Sequence, residues 1–141
     1  MCEHVIQNSY QIKPGSYMTY TINEGKVIAG IWGLLGIGDS IQTNIRIEML
    51  RSVWKDYLPN RGILEINGFF GGDTYFKSVE NLKVPVIFDD NYDFAIVTRS
   101  AKGLVGKSTN RQPLLIKVGQ EKAWLEEGVV IQVSVDDLMA L

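Results

Sequence analysis

From Ser40 to Met49 apolar and polar positions alternate almost without error. Ile41, Thr43, Ile45, Ile47 and Met49 fall on one side, and Gln42, Asn44, Arg46 and Glu48 on the other. A period of two predicts a strand with one face on a core and one in water. Further strands are expected at Val5–Ile12, Tyr17–Ile22, Val27–Leu35, Ile63–Phe70, Thr74–Val79, Val84–Phe88, Phe94–Thr98, Leu114–Val118 and Val129–Val135. Turn signals separate them: Pro14-Gly15, Asn23-Glu24-Gly25, Gly36 to Asp39, Pro59 to Gly62, Gly71-Gly72-Asp73 and Asp89-Asp90-Asn91. Short strands punctuated at this spacing belong to an all-β sandwich or barrel.

Helical signals are few. Val53, Trp54, Tyr57 and Leu58 make an apolar stripe over Arg51–Leu58, with helix only slightly ahead of strand. Gln120–Glu127 is built of helix formers and stops at Gly128, a natural C′ residue. Asp136 is placed to cap a last turn through Leu138 and Met139. None is long enough to be the crossover of a repeated parallel βαβ unit. The expectation is one domain over residues 1–141: a two-sheet antiparallel β-sandwich, possible in jelly-roll form, with one to three short helices.

Composition narrows the class without choosing a function. The 141 residues are 45% hydrophobic and 21% charged, ordinary globular values, and suffice for a core without disulfides. A net charge of −2 exerts no global pull on nucleic acid or anionic membrane. The lone Cys2 forbids an internal disulfide and is compatible with a reducing compartment. Met1 to Val5 shows no basic flank or apolar run of a signal peptide, so synthesis in the cytoplasm is expected, with a place in a virion or other assembly open to it.

The segment from Val27 to Gly38 is apolar on both strand faces and carries Gly30, Gly33, Gly36 and Gly38. Membrane insertion is disfavoured because no basic amphipathic face accompanies it. Two readings remain: a strand buried on both sides, or a strand whose outer face a second subunit covers. On the second, Ile28, Ile31, Trp32 and Leu34 are candidate interface residues.

Motifs of chemistry mostly dissolve. Ala101 to Ser108 fits a relaxed phosphate-loop pattern, but a true loop runs into a helix facing the phosphates, and Leu114 to Val118 reads as a strand. His4 and Cys2 would share a face at a strand end, and two such residues are too few for zinc. No catalytic residue and no enzyme activity is expected, and no cofactor beyond a candidate Ca²⁺. Asp89, Asp90, Asn91 and Asp93 supply the hard oxygens that ion takes, beside Tyr92, although an Asx-rich turn accounts for the same residues.

Charge is segregated along the chain. Arg99, Lys102, Lys107, Arg111 and Lys117 lie in a stretch without acidic residues that follows the Asp89–Asp93 loop. A solvated loop is the simplest account. The functional one is a head-to-tail contact between copies, with Arg99, Lys102, Lys107 and Arg111 as interface residues. Nucleic acid ranks lower, because no aromatics interleave the basic residues for base stacking. The sequence is therefore read as a non-enzymatic structural or assembly module that forms oligomers with itself or with other subunits, of phage- or virus-like type such as a virion or tail subunit. The alternative is a lectin-like, carbohydrate-binding sandwich that takes glycan with calcium.

Overall fold

The structure, a computed structural model, describes residues 2–36, 39–130 and 138–140, with side chains except those of Cys2 and Glu3. In chain order the strands are β1 (Cys2–Gln7), β2 (Tyr10–Ile12), β3 (Tyr17–Thr21), β4 (Val27–Ile31), β5 (Leu34–Leu35), β6 (Ile41–Gln42) and β7 (Asn44–Arg46). There follow β8 (Arg61–Ile66), β9 (Gly68–Gly71), β10 (Thr74–Lys77), β11 (Leu82–Phe88), β12 (Phe94–Ser100), β13 (Arg111–Pro113) and β14 (Met139–Ala140). Two helices, α1 (Gly103–Gly106) and α2 (Glu121–Glu127), interrupt the last part of the chain.

The fold is all-β, with two large, mainly antiparallel sheets, as the alternation predicts. One runs β14-β10-β9-β1-β2; the other runs β13-β12-β11-β8-β3-β4, with β7 joined to β12 in parallel. Val5, Phe69 and Phe76 of the smaller sheet meet Met18, Tyr20, Leu64, Val84, Val86, Phe94 and Ile96 of the larger one in one apolar cluster.

The larger sheet is buried on its other face as well. Ile63, Ile87, Ala95 and Val97 pack there against Leu34, Ile45, Leu50, Trp54, Leu114 and Trp124. Neighbours along β12 therefore serve different cores: Phe94 and Ile96 one, Ala95 and Val97 the other. A strand with both faces covered reads as a continuous apolar run, which is why β11 and β12 show no alternation.

Several expectations need correction. Val5–Ile12 is a hairpin and not one strand: Asn8 and Ser9 take φ of 52° and 68°, and Gln7 pairs with Tyr10. Two successive left-handed residues make the tight turn whose twist suits a hairpin. Ile63–Phe70 is likewise split between β8 and β9 at Asn67.

The alternating stretch Ile41–Met49 is broken into β6, β7 and a 3₁₀ turn over Ile47–Met49. Ile45 is buried, but Ile41 stands 68% exposed and Met49 44%. The chain changes partners at Thr43, whose carbonyl accepts from Ile96 N–H and from Trp32 Nε1. No single sheet face receives the whole stripe.

Arg51–Leu58 is a chain of turns and not a regular helix; Trp54, Tyr57 and Leu58 of the expected stripe pack on the core, while Val53 stands exposed. Leu114–Val118 is not a regular strand; the pairing comes earlier, at β13, and is followed by single bonds from Leu114 N–H to Val97 O and from Ile116 N–H to Lys83 O. The helix expected at Gln120–Glu127 is α2, closed by Gly128 at φ 70°. Ile37 and Gly38, most of the Val129–Val135 strand and the Asp136 cap lie outside the described residues.

Candidate association surfaces

The segment Val27–Ile37 divides its residues between interior and surface. Trp32 and Leu34 are fully buried, and Trp32 Nε1 donates to Thr43 O at 2.9 Å, so these two candidate interface residues belong to the chain's own core. Ile28 and Ile31 are half-buried. The exposed members are Val27 at 65% and Leu35 at 58%, with Leu35 paired across the β5–β6 hairpin with exposed Ile41.

On β3 and β4 the solvent-facing set is Tyr17, Thr19 and Thr21 opposite Ile31, Ala29 and Val27. None of the six carries a charge. β4 ends the larger sheet, so one side of its backbone faces away from β3. Trp32 N–H bonds Ser16 O and Ile22 N–H bonds Lys26 O, which directs even-numbered residues of β4 toward β3. Odd-numbered residues direct their amides outward. Ile31 N–H accordingly reaches Asp93 Oδ1 at 3.1 Å, and Gly33 N–H reaches Phe94 O at 2.8 Å. The edge is thus closed at its C-terminal end and open at Val27 and Ala29.

Charged candidates occupy opposite ends of β12. The acidic loop precedes Phe94, and the basic stretch begins at Arg99 in the last residues of the strand and continues beyond Ser100, so most of the length of β12, roughly 20 Å, separates the loop from Lys102 and Lys107. In the acidic loop Asp89 Oδ1 accepts from the amides of Asn91 and Asp93, at 2.9 and 3.1 Å. This is the Asx-turn use of such residues. Asp93 is committed to Ile31 N–H, while Asp90 and Asn91 are exposed. Among the described residues no three His, Cys, Asp or Glu side chains are grouped to hold a metal ion. Tyr20 Oη donates to Tyr92 O at 2.7 Å. Burial, then the charges of Asp89 and Asp93, push the Tyr20 hydroxyl's pKa well above its ordinary value, so it stays protonated as the tether.

In the basic stretch Lys102 and Lys107 are exposed, but Arg111 is only 9% exposed. Its guanidinium donates to Ser100 Oγ, Thr98 Oγ1 and Glu48 Oε2 at 3.2–3.3 Å, and its Nε is buried without a hydrogen-bond partner. Arg111 is a brace inside the fold. Arg99 is half-buried, with Nε on Ser100 O. The phosphate-loop look-alike forms the single helical turn α1, with Val105 in the core, and returns as β13 instead of entering a long helix.

Two features escaped the sequence reading. An apolar cleft of about 270 Å³ lies between Val79, Leu82, Leu115, Ile116, Val118 and Leu138, whose residues come from distant parts of the chain. Lys26, exposed at the start of the open edge, stands apart in sequence from the basic stretch. Only the tertiary pairing gives either a location.

No protein-family model matches the sequence, and no curated protein matches it. Solved structures do share the fold. A phage-related protein from Bordetella bronchiseptica superposes with a TM-score of 0.80 at 16% identity, covering 99% of this chain and 93% of that one. A protein from Bacteroides thetaiotaomicron gives 0.77 at 14% identity, covering 96% of this chain and 78% of that one. At such identities the likeness is one of fold alone: the chain has the same all-β architecture as a phage-related protein and as a bacterial one.

Proposed function

We propose that the protein is a non-enzymatic module that works by associating with copies of itself. The carrying observation is the uncharged strip of Tyr17, Thr19, Thr21, Val27 and Ala29 beside an open sheet edge. Exposed edges carry a row of unmet donors and acceptors, and proteins that stay monomeric guard them with charge, proline or bulges. The other edges of the large sheets have such guards, are covered or are short: β13 is three buried residues ending in Pro113, β2 runs into Lys13-Pro14, and β14 has two residues. β4, Val-Ile-Ala-Gly-Ile, has neither charge nor proline within it, and only Lys26 stands beside it in sequence. Sharing a fold with a phage-related protein supports a phage setting for the assembly, as a virion or tail subunit.

Sedimentation velocity and light scattering from micromolar to millimolar protein test this reading. Reversible growth in mass with concentration is the expected result. A monomer throughout the range overturns it, and so does tight binding of single- or double-stranded DNA by a protein that stays monomeric.

A further inference from the structure

We infer that the partner of the β4 edge is the β4 edge of a second copy, paired antiparallel about a two-fold axis at Ile28. This rests on the self-association reading above and gives it a register. The open groups are the N–H and C=O of Val27 and Ala29. With the axis at Ile28, Val27 lies opposite Ala29 of the second copy and Ala29 opposite its Val27. Each is then a hydrogen-bonded pair, which exchanges both N–H···O bonds. Every open group on one copy meets its complement on the other, and the pairing stops where Asp93 and Phe94 already close the edge at Ile31 and Gly33. The two large sheets become one continuous sheet, with the uncharged strips of both copies side by side on one face.

Charge selects the same register. Lys26 has extended backbone, φ −68° and ψ 128°, so the alternation of β4 reaches it, and its side chain shares the face of Ile28 and Gly30. On that face the carbonyl of Tyr92 lies against Gly30, so closely that a Cβ at position 30 would collide with it. In the dimer Lys26 falls opposite Gly30 of the second copy, and therefore beside that copy's Asp89–Asp93 loop. Lys26 takes part in neither of the two ion pairs among the described residues. Symmetry makes the contact twice.

The contact is limited to the short edge Val27–Ala29 and the Lys26 charges, smaller than the ~800 Å² per partner of a standard stable interface. The dimer is therefore dissociable, formed at high local concentration, and sensitive to salt because its charge pairs are exposed.

The test is sedimentation equilibrium on the full chain with two kinds of variant. Ala29→Pro removes an outward N–H that β3 does not use, a place where an edge strand tolerates proline. Lys26→Glu reverses one charge, and Lys26→Glu with Asp90→Lys exchanges the pair, Asp90 being chosen because Asp89 and Asp93 hold the loop. Each single change is expected to weaken dimerisation by about tenfold or more, a large effect for so small a contact. The exchange restores it, and amide exchange at Val27 and Ala29 slows as concentration rises. Should Ala29→Pro fail to fold, the charge exchange decides. Wild-type association that ignores both variants and leaves those amides unprotected overturns the edge pairing while self-association stands. A wild-type protein monomeric at every concentration overturns both.

Discussion

Trp124 shows how a single side chain can hold two layers together. It is fully buried, and its Nε1 donates to Gly62 O at 2.8 Å. Its own carbonyl accepts from Arg61 Nε at 2.8 Å, while Arg61 also serves Leu58 O and Leu125 O. The guanidinium lies 6.0 Å from the indole centroid. Burial, and then the charge of Arg51, lower the Arg61 pKa from its ordinary value, yet three carbonyls keep it hydrogen-bonded. Trp124→Ala is expected to cost about 3–5 kcal/mol through the cavity it leaves. Trp124→Phe, which fills most of the space but leaves Gly62 O without its donor, should cost about 1–3 kcal/mol. Urea denaturation of the two variants against wild type measures both; equal losses would mean that the hydrogen bond, which both variants lack, carries the whole effect and the filled volume none of it.

At the scale of elements, two glycines separate conformational strain from steric collision. Gly128 ends α2 at φ 70°, a left-handed position whose built Cβ would meet only the Arg61 side chain, at 3.5 Å and beyond. Gly128→Ala therefore carries the backbone penalty alone, about 1 kcal/mol. Gly30 has ordinary strand backbone, but a Cβ there would overlap the Tyr92 carbonyl, which the Tyr20 hydroxyl holds in place. Gly30→Ala must push the Asp89–Asp93 loop off β4, and overpacking of this kind costs about 1–3 kcal/mol or more. The expected order of unfolding midpoints is wild type, then Gly128→Ala, then Gly30→Ala. The reverse order would show that the loop yields freely.

For the whole molecule, stability depends on keeping the third layer on the larger sheet. Lys83 of β11 and Glu121 of α2 join the two at 2.9 Å, each about a quarter to a third exposed. The hydrogen bond from Lys83 draws the Glu121 carboxyl below its ordinary pKa; burial opposes this, and the amide of Gly119 helps. A carboxyl lowered in the folded state stabilises above its unfolded pKa and loses that contribution as pH falls through its folded pKa. Partial exposure limits the pair to about 0.5–1 kcal/mol. Lys83→Met should therefore be less stable than wild type near pH 6, with the gap closing toward pH 3. A gap constant across that range would mean that the loss comes from packing and not from the ion pair.

The sequence by itself determined the class and much of the punctuation. Alternation and β-rich runs predicted two sheets, strands were expected at Val84–Phe88 and Phe94–Thr98, and Gly128 marked the end of α2; burial on both faces was expected of Val27–Gly38 and belongs instead to β11 and β12. These are local properties, set by backbone preference and by how many faces a segment must hide. What a local pattern does not carry is the partner. Ser40–Met49 has the period of a strand, but the chain divides it between a hairpin and a parallel pairing with β12, so Ile41 and Met49 end in solvent. Trp32 and Leu34 look as available as Val27 until the second layer covers them. Arg111 looks like a surface cation until Thr98, Ser100 and Glu48 enclose it. The open edge at Val27 and Ala29, with Lys26 at its start, exists only once β3 has taken one side of β4 and Asp93 has closed its far end. Pairing across long sequence separations decides which polar groups are left unmet, and those groups are what a surface has to offer.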